Sequence, residues 1–303
     1  MAVYDIRVKK VSKDKGVWDN MSTKRLNYAG YLYVLLSAVL FSLAGVLIKK
    51  LTWSSYTING VRNLFAFIVM ATYLRKVHHK LVINRVVLLG AVINLLMNFT
   101  FVLATKLTSA ANAIVLQFTE PIFLILFLMI FWRHKPDKKA VITCMAVSVG
   151  ILCFFFDKMT PDGMAGNLIA IASGALYAMV FLIKKMKHAD FESSIILSQS
   201  VSFLIFMPWY FKETDFAASN FLYIIILGVF QMGFAYVLLA RGLNQVSPIA
   251  ASLTSTIEPV LNPIWVAVFY GELISPIAMA GAVIVIVSST VYNLLHARAG
   301  QGL

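Results

Sequence analysis

"TEPIF" (119–123) and "IEPVL" (257–261) decide how this chain is to be read. Each puts an acid and a proline inside a run that is otherwise hydrocarbon, and the two begin 138 residues apart (257 − 119). The chain has 303 residues, 60% hydrophobic and 13% charged, against roughly 45–50% and about 25% in soluble globular domains. Such a composition belongs in a bilayer. The formal charge of +13 sits in short basic clusters between apolar runs and not along one face with interleaved aromatics, so no nucleic-acid partner is expected.

Crossing a hydrocarbon core of roughly 30 Å takes about 20 mostly apolar residues per helix. The polar clusters divide the chain into ten such runs, near 30–50, 56–75, 85–104, 109–131, 138–156, 165–186, 192–211, 219–242, 247–270 and 276–296. Unpaired backbone groups find no water in that core, so the expected fold is an all-α integral membrane protein of ten transmembrane helices. Residues 1–29 are polar and Lys-rich without a secretory leader pattern and read as a disordered cytosolic tail, and 297–303 read as a cytosolic tail. With the N-terminus inside, the inner span ends collect twenty Lys and Arg and the outer ends five: Lys49, Lys50, Lys106, Lys158 and Lys212. That asymmetry predicts a multi-pass protein of the cytoplasmic membrane with both termini cytosolic.

The two Glu-Pro pairs are part of a longer internal echo. "VLIKKL" (46–51) matches "FLIKKM" (181–186), and "LLG" (88–90) matches "ILG" (226–228), at offsets of 135 and 138. The repeat unit, 30–156 and again 165–296, therefore holds five spans; five is odd, so the second copy enters the membrane upside down. Inverted repeats mark secondary transporters, with the substrate site near midplane where the halves meet.

The entry to span nine, "SPIAASLTSTIEPVLNPIWVAVFYGEL" (247–273), with Glu258-Pro259 at mid-helix and Gly271-Glu272 at its end, is followed by "GAVIVIVSS" (281–289). In these residues the chain resembles the drug/metabolite transporter superfamily, in its ten-span EamA-type family, over essentially 26–296. The first half departs from the pattern, with Arg133-His134 where the second has Gly271-Glu272. The resemblance implies transport of amino acids, amines or related metabolites, more often outward; the expected state is a monomer or a homodimer. An uncoupled facilitator, an uptake permease or a lipid flippase on the same fold are the alternatives.

Glu120 and Glu258 fall at the centres of spans four and nine, where an acid costs roughly 2.5–3.5 kcal/mol to insert. They are candidates for substrate binding or proton coupling; the alternative is that each pairs with a neighbouring donor such as Arg62 or with backbone freed by the proline. Pro121 and Pro259 are expected to kink their helices by deleting an i to i−4 bond, and Pro263 to bend span nine further. Ser255, Glu258, Asn262 and Trp265 recur on one helical stripe. Asn94, Asn98 and Gln117 in spans three and four, Tyr177 in span six and Tyr236 in span eight complete the candidate lining. The alternative for the small and amide residues is helix packing. Arg62 is expected to snorkel outward along its aliphatic stem, and Gln199 to pack.

No enzyme is expected. There is no HExxH, the histidines (His78, His79, His134, His188, His296) lie in connections or the tail, and every Asp is outside the spans. Cys144 and Cys153 are nine residues apart on one run, roughly 13 Å along a helix, so they cannot bond to each other. Neither a metal nor any cofactor is expected, and without a GxxxxGK[ST] motif active transport would draw on an ion gradient.

Overall fold

The computed structural model describes residues 28–133, 136–155, 163–270 and 276–299, apart from the side chains at 111, 154, 155, 262, 263, 266, 267, 270, 278 and 296–299. Among the described residues every regular element is a helix and none is a strand. Helix α1 (28–41) is followed after two turn residues by α2 (Ala44–Lys50). Then come α3 (Ser55–Lys76), α4 (Arg85–Leu107), α5 (Ala110–Gln117), α6 (Glu120–Trp132), α7 (Lys138–Phe155) and α8 (Met164–Ile183). Next, α9 (Phe191–Phe206) runs into a 3-10 turn, Met207–Lys212. Helix α10 (Ala218–Ile225) passes through a π-helical segment, Ile226–Phe234, into α11 (Ala235–Leu243), and α12 (Pro248–Ser255), α13 (Ile257–Tyr270) and α14 (Pro276–Ala299) follow. The tail expected to reach residue 29 gives way to helix at Tyr28, and helix runs through Ala299 where a tail was expected from 297; the rest of both expected tails lies outside the described residues.

Among the described residues six stretches are long and apolar enough to cross a membrane: Tyr28–Lys50, Arg85–Leu107, Asn112–Trp132, Met164–Ile183, Phe191–Lys212 and Ala218–Leu243. Helix α3 has the length but carries Asn59, Arg62 and Asn63 through its middle, all buried. The exterior is correspondingly greasy. Leu88, Val92 and Leu96 on α4, and Ile142, Met145, Val149 and Leu152 on α7, point outward, the surface that lipid tails cover.

The proline expectation needs correction. Neither Pro121 nor Pro259 kinks a continuous helix: each run is broken in two, and each proline lies in the first turn of the second piece. First-turn N–H groups have no partner inside a helix, so a proline there removes no bond. The two breaks are built alike. Ser109 caps α5 by accepting from the Asn112 N–H at 3.0 Å, and Ser247 caps α12 by accepting from the Ala250 N–H at 3.3 Å. Serines and capped residues are both offset by 138 (247 − 109 and 250 − 112), and α5 and α12 are each 8 residues long. Pro263 lies inside α13, but its side chain is outside the described residues.

Helices from one half of the chain pack chiefly on helices from the other. Helix α4 lies against α8 and α9, α3 against α9 and the π segment, and α7 against α14. Glycine permits the closest approaches. A Cβ on Gly281 would stand 2.4 Å from the Gly150 carbonyl oxygen, and one on Gly174 of α8 would stand 2.5 Å from the Gln117 oxygen at the α5–α6 break.

Candidate functional site

The broken helices and the polar face of α3 converge on one internal cavity of about 30 Å³. Its wall is formed by Phe41 (α1), Arg62 (α3), Met97, Asn98 and Phe101 (α4), Gln117 (α5), Tyr177 (α8), Gln231 (π segment), Tyr236 (α11) and Glu258 (α13). Five of the ten sequence candidates, Asn98, Gln117, Tyr177, Tyr236 and Glu258, are therefore brought together. Arg62 corrects an expectation. It does not snorkel outward but is 1% exposed, with one terminal nitrogen donating to the Asn98 carbonyl (3.0 Å), the Asn98 Oδ1 (3.2 Å) and the Asn59 Oδ1 (3.3 Å).

A continuous hydrogen-bonded network backs this wall. The Tyr236 hydroxyl donates to Asn94 Oδ1 at 2.7 Å and accepts from Asn98 Nδ2 at 2.7 Å. Asn94 donates to the Ser198 hydroxyl at 2.9 Å and Asn59 to the Ser202 hydroxyl at 2.8 Å. Helices α3, α4, α9 and α11 are thereby tied through side chains alone. On the opposite side Gln117 Nε2 donates to the Ser173 hydroxyl at 2.8 Å, which donates to the Met97 carbonyl at 3.1 Å. Asn94 thus supports the wall one bond behind it. Sequence reading missed Asn59, Ser198, Ser202 and Ser173, and the spacing of Asn59, Arg62 and Asn63 at i, i+3 and i+4 was the available signal that this helix turns a polar face inward.

The two carboxylates, equivalent by sequence offset, occupy different places. Glu258 faces the cavity and leaves Oε2 without a hydrogen-bond partner. Glu120 is fully buried, 0% exposed, away from the cavity wall; its Oε2 accepts from the Ser252 hydroxyl of α12 at 2.8 Å and its Oε1 has no partner. The two remain within electrostatic reach of each other. Among the described residues neither makes an ion pair, and neither does Arg62. A buried charge left without a counter-charge costs several kcal/mol.

The stripe expected along span nine is interrupted by the break at Thr256. Ser255 ends α12, buried, and Glu258 lies in the first turn of α13. Trp265 turns away from the cavity and donates its indole N–H to the Ser42 hydroxyl at 2.7 Å, at the turn between α1 and α2. The side chain of Asn262 lies outside the described residues. No group of three or more His, Cys, Asp or Glu able to hold a metal occurs among the described residues.

The chain matches the EamA-like transporter family twice, over 28–156 and 164–294. It is 23% identical over 263 residues to an uncharacterized transporter of Archaeoglobus fulgidus, covering 85% of this chain and 93% of that protein. It is 27% identical over 259 residues to the uncharacterized inner membrane transporter YicL of Salmonella typhimurium, covering 76% and 83%. A solved crystal structure, 14% identical, superposes with a TM-score of 0.73 over 91% of this chain and 100% of that one, a likeness of fold. Both halves of the chain, and the apolar helices that carry the cavity, thus lead to one conclusion: the chain belongs to the EamA-like transporter family and is a multi-pass membrane transporter.

Proposed function

We propose that the chain is a secondary transporter that exports a small metabolite, an amino acid, amine or related solute, across the cytoplasmic membrane by alternating access. In this reading ten transmembrane helices form two inverted five-helix repeats, 30–156 and 165–296, with both termini cytosolic. The twofold family match and the alike capping of α5 and α12 support the repeat. So does the direct bond between Asn98 and Tyr236, which stand 138 residues apart (236 − 98) and meet face to face.

One observation carries the substrate assignment. Arg62 and Glu258, of opposite charge, line the same cavity without an ion pair to each other or to any other described residue. A solute with a carboxylate for the guanidinium and an ammonium for the carboxylate would satisfy both at once. A cavity of about 30 Å³ has room for a water or two, so such a solute is admitted only when the halves move apart, the population shift that alternating access requires. Protons are the proposed coupling ion, with Glu120 and Glu258 as the groups that would carry them.

The test is thermal melting of the purified protein against amino acids, amines and simple carboxylates at pH 6 and pH 8. A ligand that binds the native state at 100 times its Kd stabilises it by about 2.7 kcal/mol. Amino acids should raise Tm, and Glu258→Gln should abolish the response to any ligand bearing an ammonium while sparing carboxylates. A response indifferent to Glu258→Gln would return the Glu-Pro pair to architecture.

A further inference from the structure

Two equivalent sets of bonds hold connections together on opposite sides of the cavity. In the first, the segment between α2 and α3 meets the segment before α10. Thr52 donates its hydroxyl to Asp215 Oδ2 at 2.7 Å, Trp53 its indole N–H to the Asp215 carbonyl at 2.7 Å, and the Ser54 N–H goes to Glu213 Oε1 at 2.9 Å. In the second, the segment between α3 and α4 meets the segment between α8 and α9. His79 Nε2 lies 3.1 Å from Asp190 Oδ1, the Val82 N–H donates to the Ser193 hydroxyl at 3.0 Å, and Asn84 Nδ2 donates to the His188 carbonyl at 2.9 Å. Each set joins one half of the chain to the other, and each must part if that side of the cavity is to open.

We infer that the second set is a pH-responsive latch, in which protonation of His79 against Asp190 holds the cytosolic mouth shut. The first set contains no histidine. The inference rests on the alternating-access and orientation reading above. It is carried by the geometry: a half-buried imidazole, 25% exposed, placed on a carboxylate that is 20% exposed and already fixed as the cap of α9, where it accepts from the Ser193 N–H at 2.7 Å. Partial burial works against the Asp190 charge, yet the Ser193 hydroxyl and amide and the His79 ring together hold its carboxyl below the usual range. Asp190 therefore stays ionised from pH 5 to 8. Among side chains with ordinary titration, only histidine changes charge in that window. Lys184, at the end of α8, feels both Asp190 and Glu192, and Lys80 follows His79 in the chain. His78 and His188 stand near in sequence, but neither ring bonds a described carboxylate. A neutral Nε2–H still donates to Asp190, so raising the pH removes the ionic part of a charge-assisted bond and leaves a weaker neutral one. The latch is tight at acid cytosolic pH and looser at alkaline pH.

The test measures distance directly and needs no substrate. With Cys144→Ser and Cys153→Ser as background, nitroxides at Lys80→Cys and Lys187→Cys report the second set, and at Lys49→Cys and Thr214→Cys the first. In lipid nanodiscs between pH 8.0 and 5.5, the ratio of short to long distances at the second pair should rise about twofold to fivefold, the span given by an ion pair of modest exposure. It should stay flat at the first pair. His79→Gln keeps a donor and Asp190→Asn keeps the helix cap, so both should fold and both should be flat at either pair. A second pair that ignores pH, a response that survives His79→Gln, or a parallel response at the first pair overturns the latch. If the latch responds as expected but proves to face outward in labelled cells, the orientation fails and the latch stands.

Discussion

Tyr236 is the residue on which the cavity wall depends most. Its hydroxyl is at once donor to Asn94 and acceptor from Asn98, so Tyr236→Phe leaves both amides short of a partner without changing the packing of the ring against Phe41, 5.2 Å away edge to face. Losing a buried hydrogen bond costs about 1 kcal/mol, and comparable bonds within membranes average about 0.6. Tyr236→Phe should therefore lower Tm by about 2–4 °C in a detergent melt, and an unchanged Tm would show that the network is slack. At this scale the sequence was partly legible. Acids, amides and tyrosines in apolar runs announce themselves because burying them is expensive. Arg62 did not, since its distance from the span end suits snorkelling equally well. Only the neighbouring Asn59 and Asn63 on the same face decide the matter, by turning that face inward. Nor could the sequence separate Glu120 from Glu258: identical motifs place one against Ser252 and the other against the cavity because the opposing helices differ.

At the scale of the element, the breaks matter more than the prolines that mark them. Helix α8 crosses the α5–α6 break through Gly174, where an added Cβ would meet the Gln117 oxygen at 2.5 Å and Thr119 Oγ1 at 3.0 Å. The first contact is backbone that cannot retreat by a rotamer change. Gly174→Val should cost about 1–3 kcal/mol by overpacking, seen as a lower Tm and lower yield of folded protein. By contrast Gly228→Ala tests a different feature, since Gly228 of the π segment faces Phe65 and the Arg62 carbonyl while Gly233 faces Val69. A Gly174→Val protein with wild-type melting would mean that α8 and the break are free to separate. The capping serines Ser109 and Ser247 were not read as caps, but the places where the helices break were legible through the Glu-Pro pairs, although as kinks. The π segment was not, because nothing in "ILGVFQMGF" (226–234) departs from an ordinary apolar helix; its extra backbone width, of a kind frequent at functional sites, is fixed by what packs on it.

At the scale of the molecule the two halves are joined through their interiors: Asn98 to Tyr236, Asn94 to Ser198, Glu120 to Ser252. The proposed rocking of one half against the other would have to exchange these bonds. In the proposed orientation, charge and not shape picks the mouth that faces the cytosol. The connections around Lys80 and Lys187 belong to the side with twenty Lys and Arg, and the one containing Thr214 to the side with five, a bias that orients short loops during insertion. In a Cys144→Ser, Cys153→Ser background, Thr214→Cys should react with a membrane-impermeant maleimide on intact cells, and Lys187→Cys only after the membrane is opened. Both positions are exposed, so neither should be silent through burial. The reverse pattern would turn the molecule over, placing the His79–Asp190 contact outside and making the Thr52–Asp215 contact the inner closure.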